Sequence, residues 1–137
     1  MTTRMFRTVV LAAVAALALA ACSSASAEPD APPAFDGAHV SASAFALAVE
    51  QPGVTVLDVR TPAEFAEGHL PGAVNVNVEG PTFAAEVAAL DPDADYAVYC
   101  RSGNRSRVAI DYMAETGITR TLGLEGGVGA WTGDIER

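Results

Sequence analysis

The sequence predicts an α/β domain, a central and mainly parallel sheet flanked by helices. Three observations lead there. Near-continuous apolar runs at residues 54–59 and 96–99 read as strands buried on both faces, the pattern of a parallel sheet. Segments with helical periodicity lie between the strand-like stretches, as crossover connections between parallel strands require. Composition is the third: 50% of the 137 residues are apolar, enough to build a core and too many for a disordered or fibrous chain. That length suits one domain.

Charge and cysteine count narrow the function. Arginine supplies all 8 basic side chains against 17 acidic ones, a formal charge of −9. Such a surface repels phosphate backbones, so no nucleic-acid partner is expected. The cysteines, Cys22 and Cys100, are too few for a disulfide scaffold. With two histidines at wide, unpatterned spacings they make no zinc motif, and no metal or cofactor is expected.

The N-terminus reads as an export signal. Arg4 and Arg7 precede an apolar run at residues 9–21, which as a helix reaches only about 20 Å and cannot span a hydrocarbon core of about 30 Å. The run ends in Leu19-Ala20-Ala21-Cys22, which resembles the bacterial lipoprotein signal. The resemblance implies cleavage before Cys22 and attachment to its sulfur of a diacylglycerol, whose acyl chains are of the kind of palmitate. Each buried methylene contributes about 0.8 kcal/mol to membrane binding. The expected organisation is a signal peptide at residues 1–21, a lipid-anchored disordered tether rich in Ser, Ala and Pro at 22–37, and the folded domain at 38–137. The domain would then sit on the extracytoplasmic side of the cell membrane.

Within the domain, Ser41 caps a helix whose Ala42, Phe45, Ala46 and Val49 share one face, and Gln51-Pro52-Gly53 stops it. The strand at 54–59 follows. Thr61-Pro62-Ala63-Glu64 is a capping box with proline at the first helical position. Gly68 breaks that short helix, and Leu70-Pro71-Gly72 turns the chain into a strand at 73–76. Phe83, Ala84, Val87 and Leu90 mark a second amphipathic helix, halted at Asp91-Pro92. After the strand at 96–99 comes a polar loop, then a helix over 105–115. Val108, Ala109, Tyr112 and Met113 are expected inside it, with Arg107, Asp111 and Glu115 at i, i+4 spacing outside. Gly117 ends it, and residues 119–122 form the last strand.

The chemistry centres on Cys100, at the carboxyl end of a buried strand and just before a helix, where sites of open α/β sheets collect. The stretch Tyr99-Cys100-Arg101-Ser102-Gly103-Asn104-Arg105-Ser106 makes a cradle of backbone N–H groups at the positive end of a helix dipole. Arg101 and Arg105 are expected to strengthen that field. A cysteine so placed should have a depressed pKa and act as a nucleophile.

Three motifs carry a family resemblance. Asp58-Val59-Arg60-Thr61-Pro62-Ala63-Glu64-Phe65 with Gly68-His69-Leu70-Pro71-Gly72-Ala73 resembles the first rhodanese signature. Cys100 to Ser106 resembles the active-site loop of that family, and Gly126-Gly127-Val128-Gly129-Ala130-Trp131 its C-terminal signature. The resemblance spans the folded unit and implies a rhodanese-like three-layer domain. It also implies sulfurtransferase activity: Cys100 takes sulfane sulfur from thiosulfate, a persulfide or a polysulfide, and passes it to a thiol or cyanide. The thiol could belong to a thioredoxin-like protein. Cys100 and Arg105 are the implied catalytic pair; Arg101, Ser102, Gly103 and Asn104 surround the persulfide, and Asp58 and Arg60 shape the pocket edge, although by residue type alone they read as a structural ion pair or loop brace.

His69 is expected to be a structural hydrogen-bonder, Trp131 core packing, and Gly126 and Gly127 suppliers of backbone conformation. The C-x4-R loop is one residue shorter than the C-x5-R loop of the related dual-specificity phosphatases, which favours sulfur over phosphate. Where two-domain thiosulfate sulfurtransferases place basic residues, this chain has Glu64 and Ser102, so thiosulfate loses two attractive charges. The alternative function is a non-catalytic rhodanese-like module for binding, or for sulfide or redox sensing, at the cell surface. A phosphatase or arsenate reductase is disfavoured by loop length.

Overall fold

The computed structural model describes residues 31–137. The expected signal peptide and Cys22 lie outside them. Five strands form one parallel sheet: β1 (His39–Val40), β2 (Val54–Asp58), β3 (Val74–Asn75), β4 (Asp95–Tyr99) and β5 (Thr121–Leu124). Their order is β1-β5-β4-β2-β3. Parallel neighbours need crossovers, which α1 (Ala42–Val49), α2 (Pro62–Glu67), α3 (Phe83–Ala88) and α4 (Asn104–Glu115) supply. The expected α/β class and flanked parallel sheet hold throughout.

Local chemistry sets the element ends. Ser41 Oγ accepts the Ala44 N–H and starts α1. The Thr61/Glu64 capping box closes in both directions around Pro62. Gly117, at φ +97°, carries the chain out of α4 in a left-handed conformation.

Strand alternation assigns side chains to two cores. Tyr96, Val98 and Cys100 join Leu57, Val59, Phe83, Val87, Ala109, Ile110 and Met113 on the side of α3 and α4. Ala97 and Tyr99 join Phe45, Ala48, Val56, Leu122 and Leu124 on the side of α1. The period of two thus sends Cys100 to the α4 face and Tyr99 to the opposite one.

Several expectations are corrected. Val108 is 60% exposed. The buried stripe of α4 is Ser106, Ala109, Ile110 and Met113, rotated by about one residue, which leaves Val108 on the outer face. Ala84 is likewise exposed while Phe83 and Val87 are buried. The last strand sits two residues later than 119–122, because Gly123, a poor strand former by composition, pairs in register with both His39 and Val98. Packing also begins before residue 38: Phe35, placed in the tether, packs on the α1-side core, and the Gly37 N–H donates to Thr121 O at 2.8 Å.

Asp58 and Arg60 form a buried ion pair and brace, the structural role their residue types allowed, and not the pocket edge that the resemblance implied. Asp58 pairs in register with Tyr99. It is fully buried and accepts the Arg60 backbone N–H (2.9 Å), Arg60 Nη2 (2.5 Å) and Tyr99 Oη–H (2.6 Å). Arg60 Nη2 also donates to Gly68 O at 2.7 Å, and the Leu70 N–H donates to Tyr99 Oη at 3.0 Å. Burial, then Asp58, pushes the Tyr99 phenol well above its usual pKa, so it stays a donor. With its lone pairs so occupied and no exposure, Asp58 cannot meet a substrate. His69 is structural as expected: it stacks on Phe65 with centroids 3.7 Å apart, and its Nδ1 lies 3.0 Å from Phe65 O. Trp131 packs edge-on to Phe45 at 6.2 Å.

Replacing Asp58 with Ala strands a buried guanidinium and should cost about 3–5 kcal/mol, whereas Tyr99→Phe, which leaves the ion pair intact, should cost about 1–2 kcal/mol. Urea denaturation of the two variants measures both values and their order.

Candidate active site

The sheet order reverses between β4 and β2, since the chain runs from β2 outward to β3 and returns to the other side as β4. Loops leaving the carboxyl ends of these two strands diverge and open a crevice. Cys100 is the first residue past β4 and opens the loop into α4.

The loop is built around the Cys100 sulfur. Gly103, at φ +99°, adopts a left-handed conformation that turns its N–H onto Sγ at 3.0 Å. No side chain caps α4, so the thiol sulfur occupies the place of a capping acceptor at the helix start. Burial pushes the Cys100 thiol up. The backbone N–H groups of Ser106, Ser102 and Gly103, with the Ser106 hydroxyl, outweigh burial and hold its pKa below the usual thiol value. Cys100 is free and has 0% exposure.

The glycine-rich segment after β5 fixes this loop from behind. Val128 N–H donates to Cys100 O at 2.8 Å, and Gly129 N–H to Arg101 O at 3.3 Å. A Cβ at Gly127 would lie 2.4 Å from the Arg101 carbonyl carbon, so only glycine allows this approach. Gly126 (φ +73°) and Gly127 (φ +61°) both take left-handed conformations, the backbone role expected of them.

Around the sulfur, Arg101, Ser102 and Asn104 are exposed on the loop and Gly103 is buried beneath them. Arg105 departs from expectation. Its Nη1 and Nη2 bind both oxygens of Glu64 at 2.8 Å, and Nη1 also meets Glu79 Oε2 at 3.2 Å. The pairing holds Glu64 down at about 2 and raises the guanidinium further above its already high value. Two carboxylates thus offset the charge that Arg105 was expected to lend to the sulfur. Arg101 has no carboxylate partner among the described residues.

Two residues that the sequence reading gave no role lie at the sulfur. Ser106 is fully buried, and its Oγ lies 3.7 Å from Cys100 Sγ and 3.0 Å from Gly103 O. His39 Nε2 lies 2.8 Å from the same Oγ. Spacing alone could have found Ser106, one helical turn beyond Gly103. Nothing local points to His39, 67 residues away. Cavities of about 480, 330 and 240 Å³ among the described residues are lined by residues other than Cys100. Among the described residues no cluster of His, Cys, Asp and Glu stands ready to hold a metal ion.

The chain is similar to proteins that bear the name sulfurtransferase. A sulfurtransferase of Allochromatium vinosum is 38% identical over 78 residues, covering 57% of this chain and 71% of that one. The thiosulfate sulfurtransferase GlpE of Shewanella oneidensis is 32% identical over 93 residues, covering 68% of this chain and 90% of its own length. A crystal structure of a rhodanese-related protein from Thermoplasma volcanium superposes with a TM-score of 0.63 at 27% identity, over 72% of this chain and 96% of that one. Residues 41–134, from the cap of α1 to the segment that buttresses the cysteine loop, match the family model of the rhodanese-like domain, and the chain belongs to that family.

Proposed function

We propose that the domain is a sulfurtransferase that carries sulfane sulfur on Cys100 as a persulfide. The observation that supports this most is the cradle itself: a free thiol, held below its usual pKa, with main-chain donors arranged around one sulfur atom. The thiolate attacks the outer sulfur of the donor. A new S–S bond forms on Cys100 while the donor's S–S bond breaks, and its electron pair leaves with sulfite from thiosulfate or with a thiolate from a persulfide. The bound persulfide anion then gives its outer sulfur to an incoming thiolate or cyanide, and Cys100 returns as thiolate. Charge stays on sulfur throughout, where amides at a helix start stabilise an anion.

Arg105 bears on the donor. Held by Glu64 and Glu79, it offers a dianion little net attraction. Persulfides of small thiols, which bring a single charge on sulfur, are therefore the better donors, and thiosulfate the weaker one. A small thiol or a thioredoxin-like protein is the acceptor. In the same reading Cys22, outside the described residues, carries a lipid that holds the domain at the extracytoplasmic face of the cell membrane. Among the described residues no helix is long and apolar enough to cross a membrane.

Intact mass spectrometry after incubation with a polysulfide should show one added sulfur on the wild-type chain. Cys100→Ser should gain none and lose sulfur transfer to cyanide by about 10³-fold or more, on the scale of a lost nucleophile, with unchanged circular dichroism. Persistent turnover in that variant sinks the reading.

Donor choice has its own test. A small-thiol persulfide should exceed thiosulfate in kcat/KM by about tenfold, equivalent to about 1.4 kcal/mol. Glu64→Gln, which can keep the capping box, should narrow the gap by lowering the KM for thiosulfate. Fractionation of cells expressing Cys22→Ala should find the protein released from the membranes that hold the wild type.

A further inference from the structure

His39 stands on the edge strand β1, far in sequence from the cysteine loop, yet its Nε2 lies 2.8 Å from Ser106 Oγ, itself 3.7 Å from Cys100 Sγ. The contact depends on a glycine. Gly123, beside His39 in the sheet, leaves room for the imidazole, and a Cβ there would fall 2.3 Å from the ring. Gly123 has no positive φ, so the ring, not the backbone, explains the missing side chain.

The hydroxyl's single proton decides what His39 does. Were Nε2 an acceptor, the Ser106 proton would be spent on it, and no hydroxyl donor would remain for the sulfur. With Nε2 protonated, Oγ accepts from His39 and its own proton is free to turn. Toward Gly103 O (3.0 Å) it suits a neutral thiol, whose S–H then donates to Oγ. Toward Sγ it suits a thiolate. Gly103 O can release it, because the Arg107 backbone N–H (3.3 Å) and Arg107 Nη1 (3.1 Å) also donate there. A hydroxyl that accepts one hydrogen bond is a stronger donor in the next.

We propose that His39 is a positioning residue for the nucleophile: its Nε2–H donates to Ser106 Oγ, so that the Ser106 hydroxyl proton is available to the Cys100 thiolate. The inference deepens the proposed reaction and rests on Cys100 being its nucleophile. The charged groups facing the ring are Arg107 and Asp111 of α4 and Glu125 just after β5. Burial, then Arg107, lowers the imidazole pKa, which keeps the ring neutral at pH 7. The neutral tautomer with hydrogen on Nε2 suffices, and no net charge is needed.

The test is the pH dependence of Cys100 alkylation by iodoacetamide in the full chain, mapped by peptide mass spectrometry, with circular dichroism as a fold control. His39→Leu, which fills the space over Gly123 without a donor, should raise the alkylation midpoint by about one pH unit, a tenfold loss of thiolate below it. His39→Gln, which presents an N–H at a similar reach, should restore most of the shift. Gly123→Ala keeps the imidazole in the chain but pushes it aside, and should raise the midpoint as His39→Leu does, which serves if one variant folds poorly. A wild-type midpoint at the ordinary thiol value defeats the sulfurtransferase reading as a whole. A low wild-type midpoint left unmoved by His39→Leu, or moved equally by His39→Gln, defeats only the role of His39.

Discussion

A helix start leaves several N–H groups without intrahelical acceptors, and at α4 the acceptor offered to them is a cysteine sulfur. That substitution of sulfur for a capping oxygen organises the surrounding structure. Gly103 must take a left-handed conformation to turn its N–H inward, Ser106 must be small and polar to lie beneath the sulfur, and Gly127 must lack a Cβ so that the backbone behind the loop can approach. Side-chain size and backbone conformation at these positions follow from one requirement, that the sulfur be surrounded by donors and not by water.

The loop can hold that shape only if the strand ends that carry it stay fixed. Asp58, at the end of β2, ties Arg60 and Tyr99 into one buried network, and Tyr99 immediately precedes Cys100. A buried ion pair adds little net stability compared with a well-packed apolar replacement. Its effect here is geometric: Arg60 reaches Gly68 O and Tyr99 meets the Leu70 N–H, so the loop after β2 is tied to the strand that leads into Cys100. The pleat separates the duties, with the brace on the α1 face and the thiol on the α4 face.

Much of this was legible in the sequence, and the rest was hidden for physical reasons. Strands buried on both faces, the capping box at Thr61 and the cysteine before a helix all write local patterns, and each led to the right element. Val108 was misassigned because a helical stripe on a short helix fixes its own phase only to about one residue, and Ser106, a polar residue, marks the true centre. β1 was missed because two residues carry no periodicity. Asp58 and Arg60 carried a pocket role only through the resemblance; the alternative of a structural ion pair was legible in their spacing, and register with Tyr99 buries it. His39 required knowledge of the β1–β5 pairing, which is set by tertiary packing. Motif residues were found by pattern, and their partners only by topology.

The pairing of Arg105 with Glu64 and Glu79 changes where the electrostatic work is done. Side-chain cations act over a Debye length of about 8 Å and are screened by salt, whereas amide dipoles act at contact and do not titrate. With Arg105 offset and the chain carrying a formal charge of −9, long-range attraction for an anionic donor is weak. Stabilisation of a negative sulfur survives nonetheless, because it comes from N–H groups within hydrogen-bond reach. In the proposed reaction the site would therefore separate two properties that a cationic pocket merges: keeping a thiolate or persulfide ionised, and concentrating small dianions from solution. Under that proposal, selectivity among donors rests on how the outer sulfur meets the amides as well as on the charge it brings.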